Sequence, residues 1–195
     1  MNKKTFGPKT FLYPMPVVIV GAKIEGKPNF NTIAYCGVVQ GKPPMIGISM
    51  AKNRFTYQGI IKYRKFSINI PGENLLELID YVGIVSGKNI DKSGLFKIFY
   101  GKLKSVPMIK ECPINMECEL FDRMDFGGKN DFLVGKVIET YCSDNCITEG
   151  FPDIEKIRPV LLAREDMKYW STGHYLGKAL EIGKNYKPSF KDFSD

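Results

Sequence analysis

The residues best suited to hold a ligand fall between Asn29 and Tyr57. Asn31, Thr32, Ala34, Tyr35 and Cys36 follow one another in a strand-like run with small or polar groups on both sides, plus one aromatic ring. A half-buried strand separates oily from polar residues, so polar groups on both faces call either for a bound partner or for the wet side of an edge strand. The two readings stand level on periodicity alone. Further on, Ser49, Met50, Lys52, Arg54, Phe55 and Thr56 leave a buried strand and open a helix. With Asn53 as N-cap of a helix through Lys62, the first-turn amides beside Lys52, Arg54 and Thr56 make an anion site. A third stretch, Asp80 to Gly94, reads as a loop able to bring Ser86, the Gly87 amide and Lys92 to the same anion, although it lacks P-loop spacing. The three together suit a flat aromatic ligand with a phosphate at one end.

Other chemistry is poorly supplied. The chain has 195 residues and a single histidine, His174, so histidine-based triads and paired-histidine metal sites find no support, and His174 reads as a surface or interface residue. No dinucleotide-type glycine fingerprint follows a strand. The five cysteines (Cys36, Cys112, Cys118, Cys142, Cys146) are odd in number and match no compact metal knuckle, so reduced thiols in a cytosol and no metal are expected. Cys118 alternates with Ile114, Met116 and Leu120, as a small hydrophobe on a core face does. A net charge of +7 invites nucleic acid, but the lysines are scattered and no nucleic-acid motif accompanies them. No apolar run approaches the roughly 20 residues that span a bilayer, and prolines interrupt any N-terminal leader. No residue stands out as catalytic, which leaves a bound cofactor to carry the reaction.

The elements that must position these residues are mostly strands. Val17 to Ile24 is a continuous apolar run, buried on both faces, turned back through Glu25-Gly26-Lys27-Pro28 with proline stopping the ladder. Phe30 to Val39 returns, Gly41 to Pro44 makes a corner, and Met45 to Met50 is a buried strand. Lys65 to Pro71 alternates as a strand, and Glu73 to Val82 has the spacing of a core-packed helix. Ile114 to Phe121 and Phe132 to Thr140 form a long hairpin, Asp144 to Lys156 is polar and irregular, and Val160 to Ala163 is a last strand. The aromatic cluster from Met167 to Gly177 could cap a pocket or join two subunits. Residues 1–13 read as an N-terminal arm, 14–178 as one domain and 179–195 as a tail.

The blocks PVVIVGAKIEGKPNFNTIAYCGVV, PPMIGISM, NRFTY, DYVGIVSG with Asp91-Lys92, ECPINMEC and YWSTGHYLGK occur in order from about Pro16 to about Lys178. In this the chain resembles the flavoredoxin group of the flavin reductase-like proteins. The resemblance implies a mainly β fold, an FMN-binding split β-barrel with short peripheral helices, and a homodimer with flavin near the interface. It implies an FMN-dependent oxidoreductase that passes electrons from NADH, NADPH or a protein donor to an acceptor. The alternatives are a flavin-binding electron carrier without a nicotinamide site, or a split barrel that holds another flat cofactor such as haem. By position, Asn31, Thr32, Ala34, Tyr35 and Cys36 become the flavin wall; Ser49 to Thr56 become the phosphate-side turn, joined by Ser86, Gly87 and Lys92. Many relatives carry tryptophan where Tyr35 stands. Arg54→Ala and Lys92→Ala are both expected to weaken FMN retention without unfolding the chain.

Overall fold

A computed structural model describes residues 2–187. Its centre is a seven-stranded sheet in the order β3-β2-β6-β9-β10-β5-β4, antiparallel throughout. The strands are β2 (Val18–Ile24), β3 (Lys27–Ile33), β4 (Cys36–Gly41), β5 (Pro44–Ala51), β6 (Lys65–Ile70), β9 (Ile114–Asp125) and β10 (Asn130–Cys142). The two edge strands, β3 and β4, are consecutive in the chain and separated only by Ala34 and Tyr35. Opposite edges of one sheet therefore meet there, which curls the sheet into a barrel with a split. This is the split β-barrel that the resemblance implies.

The barrel core explains the curl. Val18, Val20 and Ala22 of β2 pack with Ile46, Ile48, Phe66, Ile68, Cys118 and Leu133 from the other strands. Tyr57 and Ile60 of helix α1 (Phe55–Tyr63) join the same core. The alternate residues Val17 and Ile19 belong to a second core with Phe30, Ile79, Val82 and Phe96. The run at Val17 is thus buried on both faces, and burial of side chains of this size, each worth roughly 1.5–3 kcal/mol, fixes the register of β2. Cys118 lies on the core face with Leu120, as its alternation requires.

A smaller three-stranded sheet combines β1 (Met15–Pro16), β13 (Leu161–Ala163) and β14 (Lys168–Trp170), in the order β1-β13-β14. Helix α2 (Leu76–Ile84) packs against β3 through Ile79 and Val82, and Tyr169 on β14 donates to Asp80 at 2.7 Å. Three expectations need correction. Pro28 does not stop a ladder: it pairs with Lys23 inside β3, where an edge strand tolerates a missing donor. The segment from Phe30 to Val39 is two strands rather than one, broken at Ala34 and Tyr35 where the chain crosses between edges. The loop after α2 begins at Val85, because Tyr81 to Ile84 continue the helix.

Two short hairpins escaped the sequence reading, β7 (Ile98–Phe99) with β8 (Met108–Ile109) and β11 (Ile147–Thr148) with β12 (Phe151–Pro152). The second lies in the segment expected to be irregular, followed by the one-turn α3 (Ile154–Ile157), whose N-cap Asp153 accepts from the Glu155 amide at 2.9 Å. The expected C-terminal tail lies partly outside the described residues. No helix among the described residues is long and apolar enough to cross a membrane.

Candidate functional site

Two cavities meet where β3, β5 and the start of α1 converge. The larger, about 800 Å³, is lined by Asn29, Asn31, Ala51 to Thr56, Val85 to Gly87, Lys92, Lys129 and Asn130. The smaller, about 330 Å³, is lined by Asn31, Thr32, Ala34, Tyr35, Ser49 and Met50, and by Met15, Leu162, Arg164 and Met167. Asn31, Ala51, Arg54 and Asn130 line both, so the two form one continuous cleft with a polar, cationic end and a more apolar end. All the expected residues except Cys36 stand on this cleft.

The polar end is built by the turn after β5. The Arg54 amide donates to the Ala51 carbonyl at 3.0 Å, closing a turn that contains Lys52 and Asn53. Asn53 is therefore inside the turn and does not cap the helix. Arg54 holds the cap position with extended backbone and no side-chain cap, so α1 begins with amides that have no intrahelical acceptor. Those amides, with the positive end of the helix dipole, face an anion better than a self-capped turn would. Arg54 itself is exposed, its guanidinium reaching the Gly83 carbonyl at 3.4 Å.

The other wall depends on close packing. Asn29 is buried and donates to the Thr56 hydroxyl at 2.6 Å. A Cβ on Gly87 would lie 2.1 Å from Asn29 Oδ1 and 2.9 Å from the Phe55 ring, so only glycine lets this loop approach. Ser86 begins a local turn, its carbonyl accepting from the Asn89 and Ile90 amides and its hydroxyl from the Lys88 amide at 3.3 Å.

Two of the expected cations are not free. Lys92 is buried, and its ammonium donates to the Phe30 carbonyl at 3.0 Å and the Val82 carbonyl at 2.8 Å, bracing β3 against the last turn of α2. Desolvation, with the nearby Arg54 charge second, pulls its pKa from the usual 10.5 down to about 8. Lys52 pairs with Asp125 at 2.5 Å and with Asp131 at 3.4 Å, and the hydrogen bond to Asp125 holds its pKa up. Its charge is already spent. Lys129 is exposed and makes no ion pair among the described residues. Sequence reading missed it because a lysine in a glycine-rich hairpin turn carries no signal of what that turn faces.

The apolar end is quieter. Thr32 donates to the Ile79 carbonyl at 2.6 Å, and Ser49 accepts from Asn130 at 3.1 Å. Met50 is 1% exposed and packs in the barrel core, so it does not offer its side chain as a wall. Tyr35 is 38% exposed and carries the Arg164 guanidinium 5.4 Å from its ring centre. Cys36 packs toward the barrel core and lines a neighbouring groove instead. Burial pushes its thiol up to about 11, so it is not a thiolate nucleophile near neutral pH.

Behind the polar end lies a buried carboxylate that sequence reading also missed. Asp131 is fully buried; one oxygen accepts from Tyr57 and from Arg123 Nε at 2.6 Å, and the other has Lys52 at 3.4 Å without a hydrogen bond. Burial works to raise its pKa, but the hydrogen bonds from Tyr57 and Arg123, with the Lys52 ammonium close by, prevail and hold it low.

Residues 10–171 match the family described as Flavin reductase like domain. The fold is similar to the crystal structure of flavoredoxin from Methanosarcina acetivorans, with a TM-score of 0.90 and 41% identity over 94% of this chain and 98% of that one. Flavoredoxin of Desulfovibrio vulgaris (Miyazaki F) gives 0.87 and 31%, covering 93% of this chain and 100% of that one. An FMN-binding protein from Thermus thermophilus shares the fold at a TM-score of 0.77 and 24% identity, covering 91% and 99%.

Proposed function

The chain belongs to the flavin reductase-like family, and from that premise we propose that it holds FMN along the joined clefts as an NAD(P)H-dependent oxidoreductase. The observation that carries this reading is the shared boundary: Asn31, Ala51, Arg54 and Asn130 link a cationic chamber to an aromatic one, in the order of a phosphate and a flat ring. Each chamber taken by itself, about 800 and about 330 Å³, has the size of an ordinary ligand pocket, roughly 300–1,000 Å³.

The chain's own groups divide the work. Arg54, Lys129, the uncapped start of α1 and the third N–H of Lys92 grip the phosphate, with Ser86 and Gly87 closing the other side. Lys52 tunes the field from its carboxylate pair rather than binding directly. Thr32, Ala34, Tyr35 and Ser49 wall the ring, and Cys36 supports that wall from behind. FMN, when bound, supplies the electron chemistry between a donor and an acceptor. Amide and cationic donors at Asn31, Asn130 and Arg54 favour the negative charge of a reduced ring.

The subunit pairs with a second copy through the β4 edge. Val38 and Val39 are 78% and 48% exposed there, and a groove joins them to Tyr35 at the ring wall. Such an interface places the flavin near the partner. The five free cysteines support residence in a reducing compartment such as the cytosol.

Anaerobic mixing of FMN-loaded protein with NADH or NADPH tests the reductase reading. Rapid bleaching of the flavin absorbance is expected; its absence overturns the nicotinamide step. The second reading, an electron carrier without a nicotinamide site, is favoured by the name of two structural neighbours above 30% identity, both flavoredoxins.

A further inference from the structure

We infer that Arg164 is a specificity-determining residue that selects a planar, oxyanion-bearing ligand at the ring end of the cleft. The inference rests on the flavin reading above for what lies beside it, and on the chain's own residues for the selection. Arg164 follows β13 and lines the smaller cavity together with Thr32 and Ser49. Its guanidinium lies over the exposed Tyr35 ring at 5.4 Å, so a planar cation is held beside a planar aromatic face. The surrounding wall is apolar and adaptable, with buried Leu162 and exposed Met167.

Arg164 is not consumed by structure. Its side chain is 43% exposed, and its one ion pair among the described residues is with the adjacent Glu165, at 3.2 Å through Nη1. A pair between sequence neighbours at the surface is worth little and is readily exchanged for a better-placed anion. Apart from Arg54, which sits at the junction with the phosphate end, Arg164 is the one basic residue lining this cavity. A guanidinium fork over an aromatic ring, flanked by methionine and leucine, recognises a flat body with a carboxylate or a phosphate at its rim.

Benzoate, phenyl phosphate and benzamide test this, since they share a ring and differ in charge and oxyanion geometry. Binding to FMN-saturated protein is read both by perturbation of the flavin absorbance and by calorimetry. The flavin is titrated first, so that a chain that holds no FMN is recognised as a failure of the cofactor reading, while calorimetry still reports the selection made by Arg164 and Tyr35. At least one anion is expected to bind about tenfold more tightly than benzamide, the size of one charge-assisted hydrogen bond. The ranking of benzoate against phenyl phosphate then names the oxyanion. Arg164→Gln should abolish the preference and Arg164→Lys should restore part of it. Equal binding of all three ligands, or a preference that survives Arg164→Gln, overturns the inference.

Discussion

The ammonium of Lys92 gives two of its three N–H groups to the carbonyls of Phe30 and Val82, so removing it does more than delete a charge. Lys92→Met leaves both carbonyls buried without a donor and is expected to cost about 2 kcal/mol in urea unfolding. Arg54→Ala touches an exposed side chain with one long bond, so it should leave stability within about 0.5 kcal/mol while weakening FMN roughly tenfold. The expectation that both substitutions spare the fold is therefore kept for Arg54 and revised for Lys92. Titration separates the two roles of the lysine. With the folded value near 8 and the ordinary value 10.5, the folded chain carries fewer protons than the unfolded one between them, so this group's contribution to stability rises with pH across that window. A neutral amine still donates both structural bonds but no longer attracts phosphate. FMN affinity, measured by fluorescence titration, should accordingly fall as the pH rises through about 8, with the fold intact.

At the scale of elements, the site depends on how closely the loop after α2 approaches the start of α1. Gly87→Ala would place a methyl against Asn29 and Phe55 and push the loop away. Because the change falls in a loop, FMN retention should drop at least about tenfold while the urea midpoint moves little; a normal FMN affinity would show that the two walls do not act together. Much of this arrangement was legible in the sequence. The apolar run at Val17 and the alternation of Phe66, Ile68 and Ile70 gave strands, because core burial imposes a period. The start of α1 was legible, but its cap was not: Asn53 has the right chemistry, and the turn closed by Ala51 places it one residue too early. Buried charges were illegible for the same reason in reverse. Glu117 alternates with core residues as a solvent-facing group would, yet it is fully buried and accepts from the Lys102 and Leu103 amides and from Tyr141. Only the preceding loop, through Lys102 and Leu103, and the following strand, through Tyr141, make that position an interior one.

For the whole molecule, the meeting of β3 and β4 is the organising event. It closes the barrel, and it sets Ala34 and Tyr35 at the seam where the cleft, the β4 edge and Arg164 converge. No local pattern marks Ala34 and Tyr35 as a crossing between sheet edges, since strand order is set by long-range pairing; the order of the sequence blocks, through the resemblance, supplied the fold instead. If the β4 edge is the dimer face, light scattering should give twice the 22.1 kDa chain mass. Val38→Glu should then shift the protein toward monomer and weaken flavin retention, because an exposed charge opposes burial of that face. Whether a phosphorylated flavin spans both ends of the cleft is decided by comparing FMN with riboflavin on the same flavin-free protein. One FMN per chain is expected, with riboflavin weaker by at least about a hundredfold, the worth of a phosphate held by several charge-assisted bonds. Equal affinities for the two flavins, or no binding of either, would contradict it.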